Sequence, residues 1–144
     1  VGRGKERSQL EKQVYDKGLE NVLFLDSVKK KQVQSVLKMF DVCYIGWRKE
    51  ELYKYGIAPN KLPEYMFAEK PIIHSFSGRG DYVEYSGCGL SVPAEDPCSI
   101  AQAIEKIYQM PKCERLIMGE KGKRYVVENL EYSHLARKLS KALL

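Results

Sequence analysis

The sequence has no apolar run approaching the roughly 18–20 residues that a membrane-spanning helix needs, so these residues indicate no membrane span. It also lacks a charged n-region, an apolar h-region and a cleavage site at its start, so a cytoplasmic location is expected. Cysteine is sparse. Cys43, Cys88, Cys98 and Cys113 include no C-x2-C pair, and the only histidines, His74 and His134, lie far apart. That spacing excludes a zinc cluster and gives no sign of any metal site. The thiols are read as structural, with Cys43 in an apolar run as a small buried hydrophobe. Repeats, low-complexity segments and linkers are missing too. No charge of one sign dominates: 24 Lys+Arg against 19 Asp+Glu give +5, dispersed along the chain. This suits phosphate-bearing partners without selecting nucleic acid.

What is present is a globular chain of 144 residues, 44% hydrophobic and 30% charged. That length fits one domain, residues 1–144, with a core that needs no disulfide staples. The opening Val1-Gly2-Arg3-Gly4 has no initiator Met and reads as though it begins in mid-fold.

Periodicity orders the elements. Leu10 and Val14 mark a helix over 5–17, stopped by Gly18 at C′. The run Asn21–Leu25 predicts a strand, and Val33, Val36, Leu37 and Phe40 share one face of a helix over 29–40. Asp41–Ile45 predicts a second strand, followed by a polar loop. A short helix is expected from about Lys61 to Glu69, then a strand over Pro71–Ser75. A second short helix near Tyr82–Ser86 and a strand over Gly89–Val92 follow. Asp96-Pro97 reads as an N-cap with Pro at N1, opening a helix whose inward stripe is Ile100, Ala103, Ile104 and Ile107. Pro111 opens a helix continuing towards Asn129, and Ser133 is the expected cap of the last one, with Leu135, Leu139 and Leu143 at four-residue spacing. Continuously apolar strands alternating with helices argue an α/β, Rossmann-like three-layer sandwich with a parallel sheet.

Ligands of such sheets bind at the carboxyl ends of the strands. Gly2 and Gly4 offer half of a dinucleotide fingerprint, but Arg7 stands where its third glycine belongs, so they are read as a strand-to-helix turn. Pro59-Asn60-Lys61-Leu62-Pro63-Glu64 carries more chemistry. Asn60 is the expected N-cap, the first-turn amides and Lys61 would hold an anion, and Glu64 stands near the same helix end. A diphosphate beside a sugar diol would use all three, while an ordinary capped helix is the alternative. Tyr65 and Met66 read as core, Tyr53 and Tyr55 stay open, and His74 reads as a satisfied structural histidine.

The runs Gly18-Leu19-Glu20-Asn21-Val22-x-Phe24-Leu25, Asp41-Val42-Cys43-Tyr44-Ile45 and Gly56-Ile57-Ala58-Pro59-Asn60-Lys61-Leu62-Pro63-Glu64-Tyr65-Met66 resemble the C-terminal domain of family-four glycosyltransferases of the GT-B fold. So do Gly87–Pro97 and Met118-Gly119-x-x-Gly122. The flavour is similar to bacterial enzymes that build surface polysaccharide and lipopolysaccharide.

The resemblance implies a donor-binding domain of a retaining transferase that takes a nucleotide-diphosphate sugar and needs no metal or other cofactor. Its acceptor would be a saccharide or lipid-linked saccharide, with the acceptor site on an N-terminal domain missing from this chain. It implies catalytic roles for Glu64 and Lys61, with Glu64 on the ribose hydroxyls. Gly2, Arg3, Gly4, Phe24 and Val28 would flank the nucleoside, and Gly56, Ile57, Ala58, Pro59, Asn60, Lys61 and Leu62 would line the donor.

Two departures qualify this. Gly56 stands where the family's first glutamate is expected, and the strand, helix and strand that carry a diphosphate-gripping arginine and lysine are missing. The alternatives are a nucleotide-binding module without transferase activity and a GT-B-fold nucleotide-sugar epimerase. Lys29-Lys30-Lys31 and Lys121-x-Lys123-Arg124 read as solvated faces, with contact to anionic lipid at the inner face of the membrane as the other reading.

Overall fold

The structure is a computed structural model and describes residues 1–143. Its chain divides into two compact units, Val1–Val33 and a second beginning at Gln34.

In the first unit, helix α1 (Arg7–Asp16) ends as the sequence predicts. Gly18 takes φ +62°. Its N–H donates to the Tyr15 carbonyl and that of Leu19 to the Val14 carbonyl, both at 3.0 Å, which is the paired C-terminal closure that glycine permits. The expected strand over Asn21–Leu25 does not form. A strand requires a ladder, and the run makes only one backbone hydrogen bond, from Gly2 N–H to the Leu25 carbonyl at 3.0 Å. The helix expected over 29–40 is shorter and split, into a 3₁₀ turn at Lys30–Gln32 in this unit and helix α2 (Val33–Lys38), which from Gln34 on belongs to the second.

The second unit holds a three-stranded parallel sheet in the order β1 (Cys43–Gly46), β2 (Ile72–Ser75), β3 (Gly89–Val92). The register pairs Cys43 with Ile72 and Ile72 with Gly89. Helix α3 (Lys61–Phe67) joins β1 to β2, and α4 (Tyr82–Ser86) joins β2 to β3. Helices α5 (Pro97–Gln109), α6 (Lys112–Asn129) and α7 (Tyr132–Leu143) follow.

The central strand β2 is buried throughout, as continuous apolarity requires of a strand covered on both faces. On one face Ile73 packs with Ala103 and Ile107 of α5, flanked by Val42, Leu90 and Val92. Ile104 is 54% exposed, so the inward stripe of α5 is narrower than its apolar positions suggest. Ile72, His74, Leu62 and Met66 of α3, Val83 of α4, and Cys88 are also buried. Helix α6 lies against α3 through its glycines. A Cβ on Gly119 would overlap the Glu69 carbonyl, and one on Gly122 would meet Cys88 Cβ at 3.0 Å.

The caps divide. Asp96 accepts from the N–H groups of Cys98 and Ser99, both at 3.1 Å, with Pro97 in the first turn, as expected. Ser133 does not cap α7, because the carbonyl of Glu131 already accepts from His134 and Leu135 and so places Ser133 inside the first turn.

Candidate functional site

Strands β1 and β2 are parallel, so their carboxyl ends, Gly46 and Ser75, open on the same edge of the sheet. The chain leaves them in two segments, 47–60 and 76–81, and these are joined. Trp47 N–H donates to the Ser75 carbonyl at 2.9 Å and Arg79 N–H to the Tyr53 carbonyl at 3.1 Å. The Trp47 ring meets Tyr53 edge-on at 5.4 Å and Phe76 at 6.2 Å. Gly78 has no room for a side chain, since a Cβ there would overlap Phe76 and the Tyr53 carbonyl. The stretch expected as a plain polar loop contains a 3₁₀ turn, Glu51–Tyr55, closed by Gly56 at φ +107° and ψ 171°. Only glycine occupies that region without strain. The acid expected there on family grounds is therefore displaced by a backbone requirement.

Helix α3 runs back from this edge towards the start of β2, so its N-terminus belongs to the carboxyl-end side. Buried Pro59 and fully buried Leu62 anchor it. Asn60 does not cap it. The residue is already helical, at φ −64° and ψ −30°, and its side chain accepts no bond from the turn. A cap needs extended backbone to aim its side chain at the next amides. Pro63 has no N–H to offer. Among the described residues, the N–H groups of Ile57, Ala58, Asn60, Lys61 and Leu62 find no acceptor. Lys61 is exposed and Glu64 half-buried, and neither charged group has a partner among the described residues. The Glu64 carbonyl accepts from Gln34 Nε2 at 3.0 Å, which ties α2 to this helix.

The remaining expected site residues, Gly2, Arg3, Gly4, Phe24 and Val28, belong to the first unit. There Arg7 gathers the turn: its Nη1 donates to the Gly2 carbonyl at 3.0 Å and to Asp26 Oδ1 at 3.0 Å. The arginine that breaks the glycine fingerprint thus holds the glycine turn in place.

Between these two segments lies a polar trio of Trp47, His74 and Asp81, the last two buried and Trp47 half-buried. His74 is fully buried. Trp47 Nε1–H donates to His74 Nε2 at 2.9 Å, and His74 Nδ1 lies 2.9 Å from Asp81 Oδ1. The same Asp81 oxygen accepts from Val83 N–H at 2.9 Å and Glu84 N–H at 3.3 Å, capping α4. Burial pushes the Asp81 carboxyl up, but hydrogen bonds from His74 and its other donors outweigh this and hold it below the usual carboxylate value. His74 is the satisfied histidine expected. Asp81 and Trp47 carry no assigned role in the sequence reading, and the structure joins both to His74. The Asp81-x-x-Glu84 spacing carries a capping signal that would have located the first, whereas nothing local links Trp47 to a residue 27 positions away.

The other expected features sort by burial. Tyr53 belongs to the aromatic cluster, and Tyr55 is 80% exposed under Lys54. Met66 is core and Tyr65 half-buried. Burial pushes the Cys43 thiol up to about 11, which suits a structural role. Lys29–Lys31 are exposed, but Lys123 is engaged, its Nζ 2.7 Å from Glu69.

Residues 1–110 match the family described as Glycosyl transferases group 1, and the chain belongs to that family. Among solved structures it is similar to sucrose-phosphate synthase from Thermosynechococcus elongatus. The TM-score is 0.68 at 21% identity, over 96% of this chain and 35% of that one. The likeness is one of fold, a GT-B Rossmann-like half, and this chain spans about a third of that protein's length. No curated protein matches the sequence. Among the described residues no helix is long and apolar enough to cross a membrane.

Proposed function

We propose that this chain is the donor-binding domain of a retaining glycosyltransferase of the family-four type. It would transfer a sugar from a nucleotide-diphosphate donor to a saccharide or lipid-linked acceptor in bacterial surface-polysaccharide synthesis. The observation that carries this reading is the start of α3, where backbone N–H groups without an acceptor, Lys61 and Glu64, each unpaired among the described residues, share the first turn on the carboxyl side of the sheet. Backbone donors and an ammonium suit a diphosphate, and a carboxylate suits a vicinal diol. In this reading the amides and Lys61 neutralise the diphosphate as it leaves, with no metal at that position. Gly2, Arg3, Gly4, Phe24 and Val28 flank the nucleoside, and the acceptor is held by another domain of the same protein, at the cytoplasmic side of the membrane. Membership of the Glycosyl transferases group 1 family supports the reaction class.

Titration with nucleosides, nucleoside diphosphates and nucleotide-sugars tests the reading. Lys61→Ala is expected to weaken diphosphate binding far more than nucleoside binding. Glu64→Gln is expected to cost about 1–3 kcal/mol for any ligand carrying the ribose diol. Equal effects of Lys61→Ala on both ligand classes, or an unchanged affinity in Glu64→Gln, would overturn these roles. A second reading, a nucleotide-binding module without transfer, is favoured by Gly56 standing in the place of the family's acid. Binding without transfer by the full-length protein would select it.

A further inference from the structure

We propose that His74 is a positioning residue for the donor site, fixing the two segments 47–60 and 76–81 against each other; this rests on the donor-site reading above. An indole N–H can only donate, so His74 Nε2, 2.9 Å from Trp47 Nε1, presents its lone pair. The imidazole proton therefore sits on Nδ1 and is donated to Asp81 Oδ1 at 2.9 Å. The ring is a neutral bridge with one direction, indole to imidazole to carboxylate.

Each end of the bridge belongs to a different segment. Trp47 opens the segment after β1, and Asp81 closes the one after β2 while capping α4. Phe76 stacks on the imidazole at 5.0 Å. From Trp47 the constraint passes to Tyr53 through their edge-on rings, and the Tyr53 carbonyl accepts both Gly56 N–H at 3.0 Å and Arg79 N–H at 3.1 Å. One buried side chain thereby governs where Gly56 stands, and with it the run to Asn60 and Lys61. Apolar residues would fill the same volume at lower desolvation cost, whereas a fully satisfied polar network specifies one arrangement.

Trp47 is the chain's only tryptophan, so a single indole N–H resonance reports on the bridge. His74→Asn keeps a donor for Asp81 and removes the acceptor for Trp47; Trp47→Phe keeps a ring and removes the donor. In the full chain, the wild-type indole proton is expected downfield and slow to exchange, and in His74→Asn to exchange at least about tenfold faster, the equivalent of one lost hydrogen bond. The Gly56 and Arg79 amide resonances are expected to move in both variants, while those of α5 stay in place. Binding of uridine and guanosine diphosphates is expected to weaken about tenfold in both. Should His74→Asn fail to fold, Trp47→Phe decides. Unmoved Gly56 and Arg79 amides, or wild-type diphosphate affinity in folded variants, would overturn the positioning role. If those amides move but the wild-type chain binds no nucleoside diphosphate, the donor-site reading falls and the clamp on the two segments stands.

Discussion

Gly56 offers the sharpest test of how backbone geometry shapes the candidate site. An alanine there meets nothing that a side chain would have to displace: its Cβ would find only the Arg79 carbonyl, at 3.7 Å, an ordinary contact. Any cost must therefore come from φ +107° and ψ 171°, a region in which an L residue is strained by about 1–3 kcal/mol. Alanine also restricts the unfolded chain, which returns about 0.4–1 kcal/mol to the folded state. The net expectation for Gly56→Ala is a loss of about 1.3 kcal/mol at the middle of these ranges and about 2.6 kcal/mol at most, read as a lower urea midpoint at unchanged m-value. Gly56→Glu, which restores the family's acid, is expected to lose as much and to gain no donor affinity, because the strain moves the carboxylate-bearing backbone out of place. An unchanged midpoint for Gly56→Ala, or tighter nucleotide-sugar binding by Gly56→Glu, would refute the reasoning.

Two further substitutions test the fold around the site. Gly119→Ala in α6 would gain about 1 kcal/mol from helix propensity alone. Its Cβ, however, would overlap the Glu69 carbonyl, and overpacking of that kind costs about 1–3 kcal/mol, more against backbone. A fall in Tm is expected, and a rise would show that α6 does not pack there. Asp81→Asn tests the acid limb. The Asp81 carboxyl is held below its ordinary value in the folded state, so its contribution is fully present above about pH 4 and is lost as pH falls through the folded value. The variant should start less stable at neutral pH and lose less on acidification from pH 5 to pH 3. An acid limb as steep as wild type would refute this.

The sequence made the second unit legible because its signals are local. Apolar runs at Cys43–Ile45 and Ile72–Ile73 and the Asp96-Pro97 cap each declare themselves within a few residues, as the Gly18 stop does in the first unit. What failed depended on partners that a local reading does not contain. Asn21–Leu25 has the composition of a strand but no ladder to join among the described residues. Asn60 has the right chemistry for a cap but the wrong backbone, a property set by how buried Pro59 and Leu62 seat the turn. The Trp47–His74 bond joins residues 27 positions apart, and only the parallel register of β1 and β2 brings them together.

The misread cap bears directly on the chemistry. Had Asn60 capped α3, its side chain would have occupied an amide that a diphosphate needs, and ligand binding would have begun by breaking that bond. A helical Asn60 leaves its own N–H and those of Lys61 and Leu62 unoccupied, while Pro63 adds no further donor to the turn. That turn depends on neighbours for further positive potential, and the unused amides of Ile57 and Ala58, on the run that Gly56 opens, lie just before it along the chain. The donor count of the proposed site is thus set jointly by Gly56 and by the absent cap. A diphosphate bound there should be more sensitive to Gly56→Ala than to Asn60→Ala, although only asparagine has a side chain that could bind a ligand.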